Sequence, residues 1–179
     1  MEMIQGDEHT FDCWVTYKSP NGTVIPIRPK LVCWIDTRSR MILGDVMCRD
    51  ADSQTLKASL LKLIYHDAGS VPRYLYIDNG KDYTSKEMLG IDRKDRHNQG
   101  AKEDHFSIAF DDVSRGFYRS LGIEDVQISM PYEPWTKGQI ERFFGTVCDK
   151  FTRWVTSYTG TLTGAFTADK INKNIKEMA

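Results

Sequence analysis

The spacing of apolar and polar positions changes several times along the chain, and each change marks an element. Between Met3 and Tyr17, alternating apolar residues read as one long strand, and Lys18-Ser19-Pro20-Asn21-Gly22 supplies the turn of a hairpin. Lys30 to Ile35 and Met41 to Cys48 read as two further strands joined by Asp36-Thr37-Arg38-Ser39-Arg40. Strands so close in sequence favour antiparallel pairing. Asp52-Ser53 then starts a helix whose Leu56, Leu60, Leu63 and Ile64 recur at helical spacing until Gly69 stops the run.

After Val71-Pro72, Tyr74 to Ile77 forms a strand that ends abruptly at Asp78-Asn79-Gly80, where Asn-Gly permits the positive φ of a sharp exit. Ser85 to His105 is densely charged with interleaved signs and few apolar residues, which predicts an exposed insertion at about 85–105. Its Arg93, Lys94 and Arg96 are more simply solvated than bound to phosphate. Asp111-Asp112 can cap a short helix carrying Val113, Phe117 and Leu121, with Gly122 as its stop. Asp125 to Met130 is a last strand, and the two prolines in Pro131 to Trp135 prevent its continuation and fit a mobile loop. Finally Ile140, Phe143, Phe144, Val147, Phe151, Trp154 and Val155 recur every three or four residues, the buried stripe of a long helix.

The chain's 179 residues, 40% of them hydrophobic, suffice for one domain with a sizeable core. A formal charge of −1 gives no whole-domain attraction to nucleic acid, so any DNA contact must come from local patches or flanking segments. No long apolar run and no charged-then-apolar leader occurs, from which a cytosolic (cytoplasmic) protein with no membrane contact is expected. Cys13, Cys33, Cys48 and Cys148 form no CxxC pair and are expected as reduced, buried thiols. His66, His97 and His105 are scattered; His9 shares a strand face with Asp7 and is a candidate supporting group or an ordinary strand histidine.

Three acids stand in distinctive surroundings. Asp78 ends an apolar strand, and in open α/β sheets that edge collects catalytic groups. Asp7 follows Gly6 in the first extended segment. Glu141 lies where the proline- and glycine-containing loop turns into the last helix, at about 100° from Ile140 on the border of the buried stripe. Asp12, an odd number of residues from Asp7, points to the opposite face of a regular strand, and Asp36 fits a turn cap.

Asp7, Asp78 and Glu141, with Asp-Asn-Gly after the middle strand and Lys137-Gly138-x-x-Glu141-Arg142 at the last helix, resemble the DDE transposase and retroviral integrase catalytic core. Gly6-Asp7, the long interval from Asp78 to Glu141, Glu141-Arg142-x-Phe144-Gly145 and Tyr158-Thr159-Gly160 are most similar to the bacteriophage Mu type of transposase. The likeness runs from about Ile4 to about Tyr158 and lacks the His/Cys zinc module of integrase amino termini. It implies an α/β, RNase H-like mixed five-stranded sheet, three antiparallel strands then parallel ones, flanked by helices. Residues 1–157 would be the catalytic core and 158–179 a C-terminal tail or linker toward a further domain.

Clustered carboxylates repel one another unless a cation neutralises them, and oxygen ligands suit Mg²⁺, with Mn²⁺ as a substitute. Two ions about 3.5 to 4 Å apart can serve in-line attack on a phosphodiester. The resemblance implies the finer assignment: Asp7 bridges both ions, Asp78 completes one site and Glu141 the other. It also implies cleavage at transposon 3′ ends, strand transfer of the 3′-hydroxyl into target DNA, and a multimer on paired DNA ends, the isolated core being compatible with a monomer. Asn79, Gly80, Lys137 and Arg142 are candidate supporting or DNA-contacting residues, each with a plain alternative as turn residue or solvated charge. Two other readings stay open at the level of sequence: an RNase H-like nuclease that only hydrolyses nucleic acid, and a catalytically silent DNA-binding or assembly module. With no helix-turn-helix segment, little sequence-specific binding to transposon ends is expected.

Overall fold

The computed structural model describes residues 1–92, 106–109, 116–129, 137–155 and 158, with the backbone alone for 106–109. Among the described residues the elements follow in the order β1 (Met3–Thr10), β2 (Val15–Lys18), β3 (Val24–Ile27), β4 (Lys30–Asp36), β5 (Ile42–Cys48), α1 (Ser53–Ile64), β6 (Tyr74–Ile77), α2 (Lys86–Leu89), β7 (Phe106–Ala109), α3 (Phe117–Ser120), β8 (Asp125–Ile128) and α4 (Gly138–Lys150). A 3₁₀ turn, Thr152–Trp154, follows α4.

The main sheet has the order β5-β4-β1-β6-β8-β7. β5, β4 and β1 are antiparallel, and β1, β6 and β8 run parallel. These are the five strands of the expected RNase H-like arrangement, and β7 adds a sixth, antiparallel to β8 at the edge. So short a segment beside a charged stretch carries little alternation to reveal it.

Both faces of the sheet are covered, which is why β4 reads as an almost unbroken apolar run. Val32 and Trp34 pack with Ile4, Leu43, Leu75 and Ile77 against Leu56, Leu60 and Leu63 of α1. The alternate residues Leu31, Cys33 and Ile35 pack with Phe11 and Cys13 against Ile140 and Phe144 of α4. Each such leucine or phenylalanine contributes roughly 1.5–3 kcal/mol on burial. Asp52 caps α1 as its sequence predicts, accepting from the Thr55 N–H at 2.8 Å. Trp34 Nε1 donates to Ser59 Oγ at 2.8 Å, and Ser59 Oγ donates in turn to the Gly44 carbonyl. Gly6 makes room for that indole, since a Cβ there would lie 2.1 Å from Trp34 Cζ3.

Several sequence expectations need correction. The strand foreseen from Met3 to Tyr17 is two strands. It breaks after Thr10, where Phe11 donates its N–H to the Pro29 carbonyl and Phe11 and Cys13 turn into the core beneath α4; the hairpin β2–β3 forms a separate small sheet. The expected exposed insertion does not begin at Ser85: Ser85 caps α2, whose Met88 and Leu89 are fully buried beside Ile91, because a few well-spaced apolar side chains outweigh the surrounding charge. Its remainder, 93–105, lies outside the described residues, as do Asp111-Asp112 and the loop 131–136. Of the predicted capped helix only Phe117–Ser120 is described, ended by Gly122 at φ 88°. The stripe of α4 also stops early: the helix closes at Lys150, and the tighter 3₁₀ turn rotates Phe151 and Trp154 outward, to 58% and 83% exposure, while Thr152 is buried. Cys13 and Cys33 are buried and Cys48 and Cys148 half-buried, all four as free thiols. Among the described residues no helix is long and apolar enough to cross a membrane.

Candidate active site

Sheet register places the first two acids. Parallel pairing of β1 with β6 aligns Gln5 with Tyr76, and two residues further along each strand come Asp7 and Asp78. Strand alternation sends Ile4 and Gly6 toward α1 and sends Gln5, Asp7 and His9 to the face covered by α4. Asp7 is largely buried, with its side chain 21% exposed, whereas Asp78 is 57% exposed at the sheet's rim.

Each carboxylate has fixed hydrogen-bond donors. Asp7 Oδ1 accepts the N–H of Glu8 at 2.9 Å. Asp78 Oδ1 accepts the hydroxyl of Ser129 at 2.9 Å, and the Ser129 N–H reaches the Ile77 carbonyl at 2.9 Å. Ser129 was not foreseen, although the signal existed: it follows the apolar strand β8 as Asp78 follows β6, and Ile77 pairs with Ile128.

A third group completes this constellation. Lys137, at the amino-terminal cap of α4 and only 7% exposed, places Nζ 3.4 Å from Asp7 Oδ1 and 3.9 Å from Asp78 Oδ1. Burial pushes the Asp7 carboxyl above its ordinary range; Lys137 and the Glu8 N–H oppose the rise, and Asp78 adds to it.

Glu141 lies in the first turn of α4 and is exposed. Lys137 brings Asp7 and Asp78 together, and among the described residues no three His, Cys, Asp or Glu side chains converge so as to hold a metal ion, so Glu141 does not complete such a cluster with them. The two convergent acids nonetheless suit a hard cation. Their donors are oxygens, one is accessible, and a positive charge already lies between them.

The acids set aside in the sequence have other partners. Asp12 pairs with Arg28, and Asp36 caps its turn by accepting the N–H and hydroxyl of Ser39. His9 shares the α4 face with Asp7 and joins strand to helix: its ring stacks on Phe144 with centroids 5.0 Å apart, and Nε2 lies 3.0 Å from Cys148 Sγ. Burial lowers its pKa, and the nearby Asp12 and Asp7 oppose that shift.

Asn79 is exposed directly after Asp78. Gly80 accepts the Thr84 N–H at 3.0 Å through its carbonyl, and neither residue has the positive φ expected of the exit. The turn is instead fastened from within, as the Thr84 hydroxyl donates to the same carbonyl at 2.8 Å. A Cβ at Gly80 would meet only Tyr83 Cδ2, at an ordinary 3.5 Å. Arg142 is exposed and lines a cleft of about 580 Å³ with Arg40, Gly138 and Gln139.

The sequence profile described as Bacteriophage Mu transposase matches residues 1–179. A curated relative, the Mu-like prophage FluMu transposase A of Haemophilus influenzae (strain ATCC 51907 / DSM 11121 / KW20 / Rd), is 31% identical over 124 residues. That match covers 69% of this chain and 16% of the relative. A solved structure, the cryoEM simian T-cell lymphotropic virus intasome in complex with PP2A regulatory subunit B56 gamma, is similar at a TM-score of 0.48 and 22% identity, over 82% of this chain and 38% of that one. The chain therefore belongs to the bacteriophage Mu transposase family.

Proposed function

We propose that this chain is the catalytic core of a DNA transposase, cutting at transposon 3′ ends and joining the resulting 3′-hydroxyl to target DNA. The observation that carries the reading is the convergence of Asp7 and Asp78 at one rim of the sheet on Lys137, the cap residue of the helix that carries Glu141. In this reading Asp7, Asp78 and Glu141 hold two Mg²⁺ ions, for which Mn²⁺ can substitute. Such ions supply Lewis-acid activation of the attacking oxygen and charge stabilisation of the leaving one.

The chain's own residues orient and bind. Ser129 fixes the rotamer of Asp78, and the Glu8 N–H does the same for Asp7. Glu141 would contribute the third carboxylate from the first turn of α4, where its side chain is exposed. The α4 amino terminus, the positive end of the helix dipole, favours a phosphate. Arg40 and Arg142 face one cleft beside it, and no carboxylate pairs with either among the described residues. Charge for DNA is therefore local, which agrees with a net charge of −1. The partners in this reading are transposon ends and target DNA, engaged by a multimer.

A strand-transfer assay tests the reading. With Mn²⁺ or Mg²⁺, the protein is expected to join an oligonucleotide bearing a free 3′-hydroxyl transposon end to a plasmid target, and Asp78→Asn to abolish joining. Nicking without joining, abolished by the same substitution, would assign a hydrolytic nuclease; joining that survives Asp78→Asn would sink the carboxylate site.

A further inference from the structure

We infer that Lys137 is a built-in counter-cation for the Asp7–Asp78 pair, which a divalent metal must displace, so that metal entry and release of this lysine are one event. The inference rests on the metal-holding reading of those two acids. It starts from a conflict: two carboxylates lie close together and one is largely buried, an arrangement that repels itself. A buried ammonium is equally unfavourable alone, because taking an ion out of water is costly unless an opposite charge is near. Lys137 solves both problems in one place.

Three observations show that its position is specific. The side chain is 8% exposed, although a lysine at a helix start can ordinarily extend into water. It makes no capping bond to α4, so the helix does not require it there. Its nitrogen is 3.4 and 3.9 Å from one oxygen of each acid, at ion-pair distance and beyond a close hydrogen bond.

Those distances also make it displaceable. A divalent ion carries twice the charge and approaches carboxylate oxygen to about 2.1 Å, so its attraction to each acid is roughly three to four times that of the ammonium. Dehydration of the metal offsets part of that advantage, leaving metal and lysine in real competition. The metal-free site is thus held together before any ion arrives, and the freed ammonium then lies at the α4 amino terminus, where a phosphate can take it.

The test is direct Mn²⁺ binding without DNA, followed by electron paramagnetic resonance of the free ion, for the wild type, Lys137→Met, Lys137→Arg and Asp78→Asn. Removing the competitor is expected to tighten Mn²⁺ binding in Lys137→Met on the order of tenfold, to leave Lys137→Arg near the wild type, and to weaken Asp78→Asn strongly. A second measurement needs no variant. Reductive methylation of Lys137, read by mass spectrometry, is expected to be slow in the metal-free protein and to rise severalfold with Mn²⁺. Should Mn²⁺ bind the wild type and depend on Asp78, yet bind Lys137→Met no tighter and leave Lys137 protected, the inference falls and the metal reading stands. If no variant binds Mn²⁺ at millimolar concentration, the metal reading itself fails and takes the inference with it.

Discussion

The rim of the sheet and the α4 helix place the three acids of the proposed site in opposite ways. Asp7 and Asp78 are set by hydrogen-bonded register, on adjacent parallel strands whose neighbours Ile4, Leu75 and Ile77 are fully buried. Glu141 stands on a helix seated chiefly by Ile140, Phe144 and the contact of His9 with Phe144 and Cys148. Backbone pairing fixes a side chain's position to a fraction of an ångström, whereas a helix resting on a few side chains can slide or tilt at small cost. Under the proposed function, the difference means that two of the three acids are set by the sheet while the third depends on how α4 is seated.

The largest expected effect separates chemistry from stability. Glu141→Gln should reduce strand joining by about 10²–10³-fold or more, as loss of a group stabilising developing charge does. The same change should shift unfolding stability by less than about 0.5 kcal/mol, since the side chain is exposed. Near-wild-type joining would remove Glu141 from the site and leave only the sheet half of the comparison.

Next in size is damage to the sheet side. Trp34→Ala removes a fully buried indole and leaves Ser59 without its donor, and urea denaturation should show a loss of about 3–5 kcal/mol. Phe144→Ala should cost somewhat less, about 2–4 kcal/mol, because the α4 seat can partly collapse. Hydrogen exchange sharpens the contrast. In Phe144→Ala the amides of α4 should exchange much faster while those of β1, β4 and β6 keep their protection; uniform loss of protection would mean that helix and sheet open as one unit.

The smallest effect concerns pH in the metal-free protein. Burial holds the Asp7 carboxyl above its ordinary range, so the folded state binds that proton more tightly than the unfolded state, whose value is about 3.9. Between those two values stability falls as pH rises through the folded pKa, by at most about 1.4 kcal/mol per pH unit. The stability difference between wild type and Asp7→Asn, measured by urea denaturation across mildly acidic pH, should therefore shift against the wild type as pH rises. A difference independent of pH would show that Asp7 gains nothing from its proton.

Strands β4, β5 and β6 and the capped helix α1 were readable from the chain alone, because in each of them periodicity, turn residues and caps agree locally; the architecture of the sheet came from the family resemblance. It also isolated Asp78, whose apolar approach and Asn-Gly exit mark a strand end without reference to the rest of the chain. Asp7 and Glu141 were singled out through the resemblance, since one acid in a mixed strand or on a helix border looks like many others.

Tertiary structure alone decided the rest. The break after Thr10 and the burial of α2 come from surfaces contributed by distant segments, which local alternation does not record. That Ser129 holds Asp78 follows from parallel register between strands far apart in sequence. Lys137 reads in the sequence as an exposed lysine fit to touch DNA, and in the fold its ammonium lies buried between two acids. Sequence pattern reports how each segment meets water and its near neighbours; which charges share a buried space is set by long-range packing, where the electrostatic terms are largest.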